Sequence, residues 1–350
     1  MTGADGVDNG AMTTASSPSD HAAAAPAAPE AAVPSAAPAP GTTTSSDAPV
    51  APAAPVLLLV PGIIGPSVLG AGEEPIVLAD ATAPQLRVTD LGVTRGEGAF
   101  ETIGVFDGRI MALAPHLERL QRSATMMELP ELDLDVLAQA VRRAVDEHAD
   151  VPELLVRIFV SSGPEGGAPG TARLTAWIHA KIAPDYSGER AGIRVVALDR
   201  GIPSTAPQTS PWLLAGAKTM SYAINMAMIR EAERRDAQDA LFVSSDGYAL
   251  EGPTSTLLVR RGDTFTTTPA SAGVLPGTSL GSVVTGLRAG GLDCTEELLT
   301  PAEVAASDGA WLLSSGRLAA PITHLDGIAL PVDMELSRRF CDLIAGRAEA

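Results

Sequence analysis

Only Lys181 and Lys218 are lysines among the chain's 24 basic residues; the other 22 are arginines. Arginine serves as well as lysine for surface charge, but its guanidinium stays protonated and cannot attack a carbonyl. A desolvated lysine amine can lose its proton and become a nucleophile. Lys218 stands in Ala217-Lys218-Thr219-Met220-Ser221-Tyr222, which reads as the entrance of a helical stretch. Coding bias alone produces arginine-rich chains, so the neighbouring residues must decide. The five histidines show no HxxxH or HExxH spacing, and Cys294 and Cys341 are far apart and outside any CxxC. This pattern speaks against a metal site or a disulfide framework and for two reduced thiols.

A reactive amine suits pyridoxal 5'-phosphate, which needs an amine for its aldehyde and an acid for its pyridine nitrogen. It also needs a polar cradle for its phosphate and a pocket over one ring face. Glu251, in Leu250-Glu251-Gly252-Pro253, follows a strand and a turn and is the candidate acid; alone it reads more readily as a solvated turn carboxylate. Phosphate is held best by helix N-termini, hydroxyls and an arginine. Thr278 and Ser279, behind Gly277 at a helix start, are candidates, as are Ser314 and Ser315 at the end of a buried strand. Arg119 in His116-Leu117-Glu118-Arg119-Leu120 is the candidate charge. Each has an ordinary structural counterpart, as helix cap, turn or solvated helix face.

The elements that must position these residues alternate β-rich and amphipathic runs. Residues 1–54 are Ala, Pro, Ser, Thr and Gly-rich and read as a disordered tail. The tail lacks a signal-peptide pattern, and the run Val56–Val60 is too short for a membrane span and suits a first buried strand. A glycine-rich stretch leads into Phe100–Phe106, and Asp107-Gly108 marks a hairpin. Helices are expected from about Pro115 and over Leu132–His148, then strands over Leu154–Ser161 and Ala172–Ala180. Pro184–Glu189 reads as a linker, dividing a small α/β domain (55–185) from a larger one (186–350). Further strands are expected near Ile193, Ala240, Thr254, Thr264 and Trp311, with a helix opened by Lys218 and a last helix over Met334–Ala345. A net charge of −18 without a basic stripe argues against nucleic acid and for a cytoplasmic protein that handles a small molecule.

In chain order, Arg95-Gly96-Glu97-Gly98-Ala99-Phe100-Glu101-Thr102, the His116 to Ala124 helix, Lys218, Asp246-Gly247-Tyr248-Ala249-Leu250-Glu251-Gly252 and Leu275-Pro276-Gly277-Thr278-Ser279 resemble the class IV (fold type IV) pyridoxal-phosphate enzymes. The resemblance covers roughly Val56 to Ala345. It implies a two-domain α/β fold and a homodimer whose substrate site borrows residues from the second subunit. It also implies Lys218 as Schiff-base lysine and proton carrier, Glu251 as pyridine-nitrogen partner, and Arg119, Thr278, Ser279, Ser314 and Ser315 as phosphate ligands. Phe100 would line the substrate pocket. Tyr222 would reach the cofactor's phenolic oxygen, although the branched-chain enzymes place that tyrosine one residue later.

The family holds transaminases and aminodeoxychorismate lyases. Lys218 to Met226 and Glu251 to Thr256 look lyase-like: the Gly-Gly-Asn-Tyr and the Asn after Glu-Gly of branched-chain enzymes are missing. The resemblance therefore favours a lyase forming 4-aminobenzoate, a folate precursor, and pyruvate. An L-branched-chain or D-amino-acid transaminase is the alternative, and a non-catalytic cofactor-binding relative a third. One departure concerns substrate carboxylates. Many lyase-like members carry an arginine before the glycine after the third strand, where this chain has Ser161-Ser162-Gly163. Arg157, five residues earlier, is the candidate to replace it.

Overall fold

Asp107 and Gly108 both adopt positive φ, 51° and 75°, as a tight two-residue hairpin turn requires. That turn closes one edge of a six-stranded antiparallel sheet in the computed structural model, which describes residues 53–65, 69–166 and 174–347. The expected tail lies outside the described residues up to position 52, as does the expected strand start at Ala172. The strands are Val56–Leu59 (β1), Val77–Ala79 (β2), Gly98–Phe106 (β3), Arg109–Ile110 (β4), Glu153–Ser161 (β5) and Thr175–Ile182 (β6), in the order β2-β1-β6-β5-β3-β4. β3 and β5 pair along their whole length, from Gly98 opposite Ser161 to Phe106 opposite Glu153.

Strand side chains alternate between faces, and this sheet uses both. Ile103, Val105, Val156, Ile158 and Val160 point into a core closed by two helices, Leu113–Met126 (α2, after the short α1, Leu91–Thr94) and Leu134–Asp146 (α3). Leu117, Leu120, Ala124, Leu137 and Val141 form their apolar stripes. Phe100, Thr102, Arg157 and Phe159 occupy the alternate positions and line a cavity on the other face. The register that buries the core therefore also sets which residues reach the cavity.

The second sheet contains Ile193–Asp199 (β7), Asp239–Val243 (β8), Thr256–Arg261 (β9), Thr264–Thr267 (β10), Cys294–Glu296 (β11), Gly309–Ser314 (β12), Leu318–Leu325 (β13) and Ile328–Ala329 (β14). Its order is β11-β10-β9-β12-β13-β7-β8, with β14 on β13. Around it lie Ser187–Ala191 (α4), Ala206–Thr209 (α5), Ala223–Arg234 (α6), Thr278–Ala289 (α7), Pro301–Ala305 (α8) and Met334–Ile344 (α9). Trp311, Phe265, Phe340, Val283 and Leu287 form the core between β12, α7 and α9, and Trp311 Nε1 donates to Ser337 Oγ at 2.8 Å. Both sheets lie within the compact unit Ala51–Ala350. Among the described residues no helix is long and apolar enough to cross a membrane.

Two expectations are corrected. Lys218 does not open a helix: α6 begins at Ala223, and Lys218 to Met220 run extended against the start of β3. Phe100 N–H donates to Lys218 O at 3.0 Å and Met220 N–H to Gly98 O at 2.7 Å, so sheet hydrogen bonds outweigh the helical bias of the following residues. Nor is Pro184–Glu189 wholly linker, since α4 starts at Ser187. Arg190 at its end holds Glu153 through both guanidinium nitrogens, at 2.8 and 2.7 Å, and donates to the carbonyls of Gly316 and Arg317. The long strand Leu318–Leu325 also emerges, although its Pro321 and Gly316-flanked start carry no clear strand pattern.

Candidate active site

Lys218 is placed by its own main chain. Its N–H donates to Ser123 Oγ of α2 at 3.0 Å and its carbonyl accepts from Phe100, so helix and strand together fix where the side chain starts. The amine stands 4.4 Å from the Phe100 ring centre and 5.6 Å from that of Tyr222. Removal from water lowers its pKa to about 8, with Glu101 and Glu251 opposing the shift and Arg119 and Arg157 adding to it. The cofactor-free amine should therefore react with an aldehyde roughly tenfold faster per pH unit up to about pH 8, and level off above. Borohydride trapping read by peptide mass at Lys218 would show this; a rate still climbing steeply at about pH 10 would contradict it.

Glu251 lies across the cavity. Leu275 N–H donates to its Oε2 at 3.0 Å, and Arg200 Nη1 is 3.8 Å from Oε1. Burial pushes its pKa up to about 7 against the lowering effect of Arg200. The folded protein thus holds this proton between the ordinary value of 4.5 and about 7, where the unfolded chain has released it. Stability must then fall as pH rises through that window. Glu251→Gln should remove this part of the cofactor-free protein's pH dependence in urea melts; parallel curves for both proteins would refute it.

The two candidate phosphate turns meet. Among the described residues Gly277 precedes α7 without a side-chain cap, which leaves the first-turn N–H groups of Thr278 and Ser279 available to an anion. A Cβ at Gly277 would collide with the Thr256 hydroxyl, so the backbone approach there requires glycine. Ser279 Oγ is 3.5 Å from Ser315 Oγ. Ser314 differs: its Oγ accepts from Arg317 N–H at 3.3 Å and is partly engaged within the turn.

Arg119 also differs from the simple expectation. Its Nε and Nη2 donate to Glu101 at 2.7 and 2.8 Å, and its Nη1 to the Pro276 carbonyl at 2.9 Å. Its charge is matched inside the protein, although the side chain still lines the cavity. Tyr222 Oη donates to the Pro253 carbonyl at 2.8 Å, and burial raises its pKa. Phe100 packs edge-on against Tyr222 at 5.1 Å and stacks on Phe159 at 5.7 Å.

All ten residues singled out in the sequence, Phe100, Arg119, Arg157, Lys218, Tyr222, Glu251, Thr278, Ser279, Ser314 and Ser315, line one cavity of about 980 Å³. The structure adds Arg95, Arg200 and Arg317 to its wall. Arg317 donates to Asp239 at 2.6 Å and keeps a buried Nε without a partner among the described residues. No motif pointed to Arg200 or Arg317, and Arg95 stood in a quoted motif without a role. Glu101, His116 and Ser123 sat inside the quoted motifs, but only their contacts across β3, α2 and Lys218 disclose what they hold. Five arginines and one lysine on the wall of a chain with net charge −18 mark a site for anionic ligands. Its donor set suits pyridoxal 5'-phosphate: an amine, a buried carboxyl, an aromatic face and an uncapped helix start beside hydroxyls.

The comparisons agree. The family model for class IV amino-transferases matches residues 98–325. A bifunctional aminodeoxychorismate lyase / D-amino acid transaminase from Mycobacterium tuberculosis is 41% identical over 260 residues, covering 71% of this chain and 88% of the relative. A fold IV transaminase structure from Curtobacterium pusillum superposes with a TM-score of 0.78 at 43% identity, covering 83% of this chain and 99% of that one. The pyridoxal-phosphate-bound form of a hypothetical aminotransferase from Mycobacterium tuberculosis gives a TM-score of 0.73 at 37% identity, covering 83% and 97%. The chain belongs to the class IV aminotransferase family and is a pyridoxal-phosphate-dependent enzyme.

Proposed function

We propose that this enzyme is a 4-amino-4-deoxychorismate lyase, with D-amino-acid transamination as the second activity to test. The observation that carries the reading is Arg157. It lines the cavity opposite Thr102 and two residues from Phe159 on the same strand face, and no carboxylate lies within ion-pair distance among the described residues. A guanidinium so placed suits a substrate carboxylate, and it takes the part for which the sequence offered no arginine at Ser162. Arg95 lines the same wall and suits a second carboxylate, whereas the charge of Arg317 is already matched by Asp239. The 41% identical relative carries both activities in its name, which supports the transaminase as the second reading.

When bound, pyridoxal 5'-phosphate supplies an aldehyde for an amine and an electron sink for the substrate carbon. Lys218 supplies the resting amine and then the base that moves the proton at that carbon, which its lowered pKa suits. Glu251 holds a proton at the pyridine nitrogen. Thr278, Ser279 and Ser315 hold the phosphate, with Ser314 shaping their turn and Arg119 behind it. Tyr222 and Phe100 shield the amine from water. Residues 55–185 and 186–350 are taken as the small and large domains, supported by their separate sheets. We further propose a homodimer closing the cavity mouth, supported by the exposed Trp212, Leu213, Ile224 and Met226 on its rim.

The test is a substrate panel on the purified holoenzyme. Release of 4-aminobenzoate and pyruvate from 4-amino-4-deoxychorismate is expected. Failure to release them, with pyruvate formed from D-alanine only when a 2-oxo acid acceptor is present, would make the enzyme a transaminase.

A further inference from the structure

His116 is fully enclosed, at 1% exposure, and touches both candidate phosphate turns. Its Nδ1 lies 2.8 Å from Glu101 Oε2, while its Nε2 lies 3.2 Å from Thr278 Oγ1 and 3.2 Å from Ser315 Oγ. Burial alone would raise the Glu101 pKa, but the charge and hydrogen bonds of Arg119, with His116, hold it down to about 2. A carboxylate in that state only accepts, so Nδ1 must carry the hydrogen. Burial lowers the His116 pKa, and Arg119 and Lys218 add to that against Glu101. The ring is therefore neutral and its Nε2 is an acceptor with one lone pair. The charged groups that face it are Glu101 from β3, Arg119 from its own helix and Lys218; α7 and the β12–β13 turn present hydroxyls.

We propose that His116 is a positioning residue for the cofactor phosphate: Nε2 is wedged 3.2 Å from a hydroxyl of each turn and accepts the hydrogen of one of them, and so fixes the spacing of the two turns and the hydroxyl orientation of the phosphate cradle. Each hydroxyl has one hydrogen. The hydroxyl that donates it to Nε2 is locked in direction, and the other keeps its hydrogen for the anion. Glu101 sets the tautomer, and Arg119 in turn sets Glu101, so a buried chain runs from the ion pair to the cradle.

The inference rests on the reading that these turns hold the cofactor phosphate, so the two are tested apart. The cofactor-free full chain is titrated with pyridoxal 5'-phosphate and with pyridoxal, which lacks the phosphate, by tryptophan fluorescence. His116→Leu is expected to weaken pyridoxal 5'-phosphate about tenfold, the loss of one hydrogen bond, and pyridoxal less than about twofold. His116→Gln, which retains an acceptor, should recover most of that loss. Equal weakening of both aldehydes, or no weakening of either, overturns the proposal alone. Inorganic phosphate should compete with pyridoxal 5'-phosphate on the wild type; absence of competition overturns the phosphate reading and this proposal with it. Because the leucine variant strands part of Glu101, ¹⁵N NMR of histidine-labelled wild type gives an independent readout. A proton on Nδ1 and none on Nε2 at neutral pH is expected, and an imidazolium or an Nε2–H ring overturns the proposal.

Discussion

Replacing Lys218 with alanine should lower turnover by at least about 10³-fold, because in the proposed mechanism one side chain serves both as the amine for the cofactor and as the base at the substrate carbon. Cofactor binding should suffer much less. The candidate phosphate turns, Glu251 and the aromatic wall remain, so the variant should still retain pyridoxal 5'-phosphate on dialysis. Borohydride should no longer fix that cofactor to the protein, since Lys181, the other lysine, lies on β6 outside the cavity wall. Small primary amines added to the assay should restore part of the proton transfer. Turnover within about tenfold of wild type, or borohydride trapping at Lys181, would sink the assignment of Lys218.

Arg119→Leu produces the largest loss of stability, about 3–5 kcal/mol, because it leaves the carboxylate of Glu101 enclosed with His116 as its remaining side-chain partner. A loss of that size is a large share of a domain's stability. The prediction differs from what the sequence suggested, where Arg119 stood as a phosphate ligand whose removal weakens cofactor retention. Urea melts of the cofactor-free protein separate the two. A shifted midpoint places the arginine in the scaffold; an unshifted midpoint with weakened cofactor makes it a phosphate ligand alone. The double variant Glu101→Leu/Arg119→Leu should regain much of the loss, since the burden is the stranded charge rather than the missing pair. The pair also has a pH signature. The folded pKa of Glu101 lies below its ordinary value of 4.5, so its contribution is present above that value and lost as pH falls toward about 2.

Local signals had differing fates. Asp107-Gly108 was legible because a two-residue turn with positive φ admits few other residues. The helix behind Gly277 and the buried strand Gly309–Ser314 were legible through punctuation and apolar runs. The extended course of Lys218 to Met220 was not, because the edge that captures it belongs to β3, more than a hundred residues away in the chain. Distance along the chain also hid Arg200 and Arg317, whose neighbours Glu251 and Asp239 are supplied by other elements.

By itself the sequence determined the family and the cofactor chemistry and singled out Lys218 as the candidate amine, because a rare lysine among arginines and ordered short motifs are properties of residue type and sequence order. Tertiary structure alone decided which carboxylate Arg119 serves, which histidine lies against the Thr278 and Ser315 turns, and which of the cavity arginines pair with carboxylates. Those outcomes depend on distances of a few ångströms between side chains on separate strands and helices, set by packing and register rather than by any local pattern.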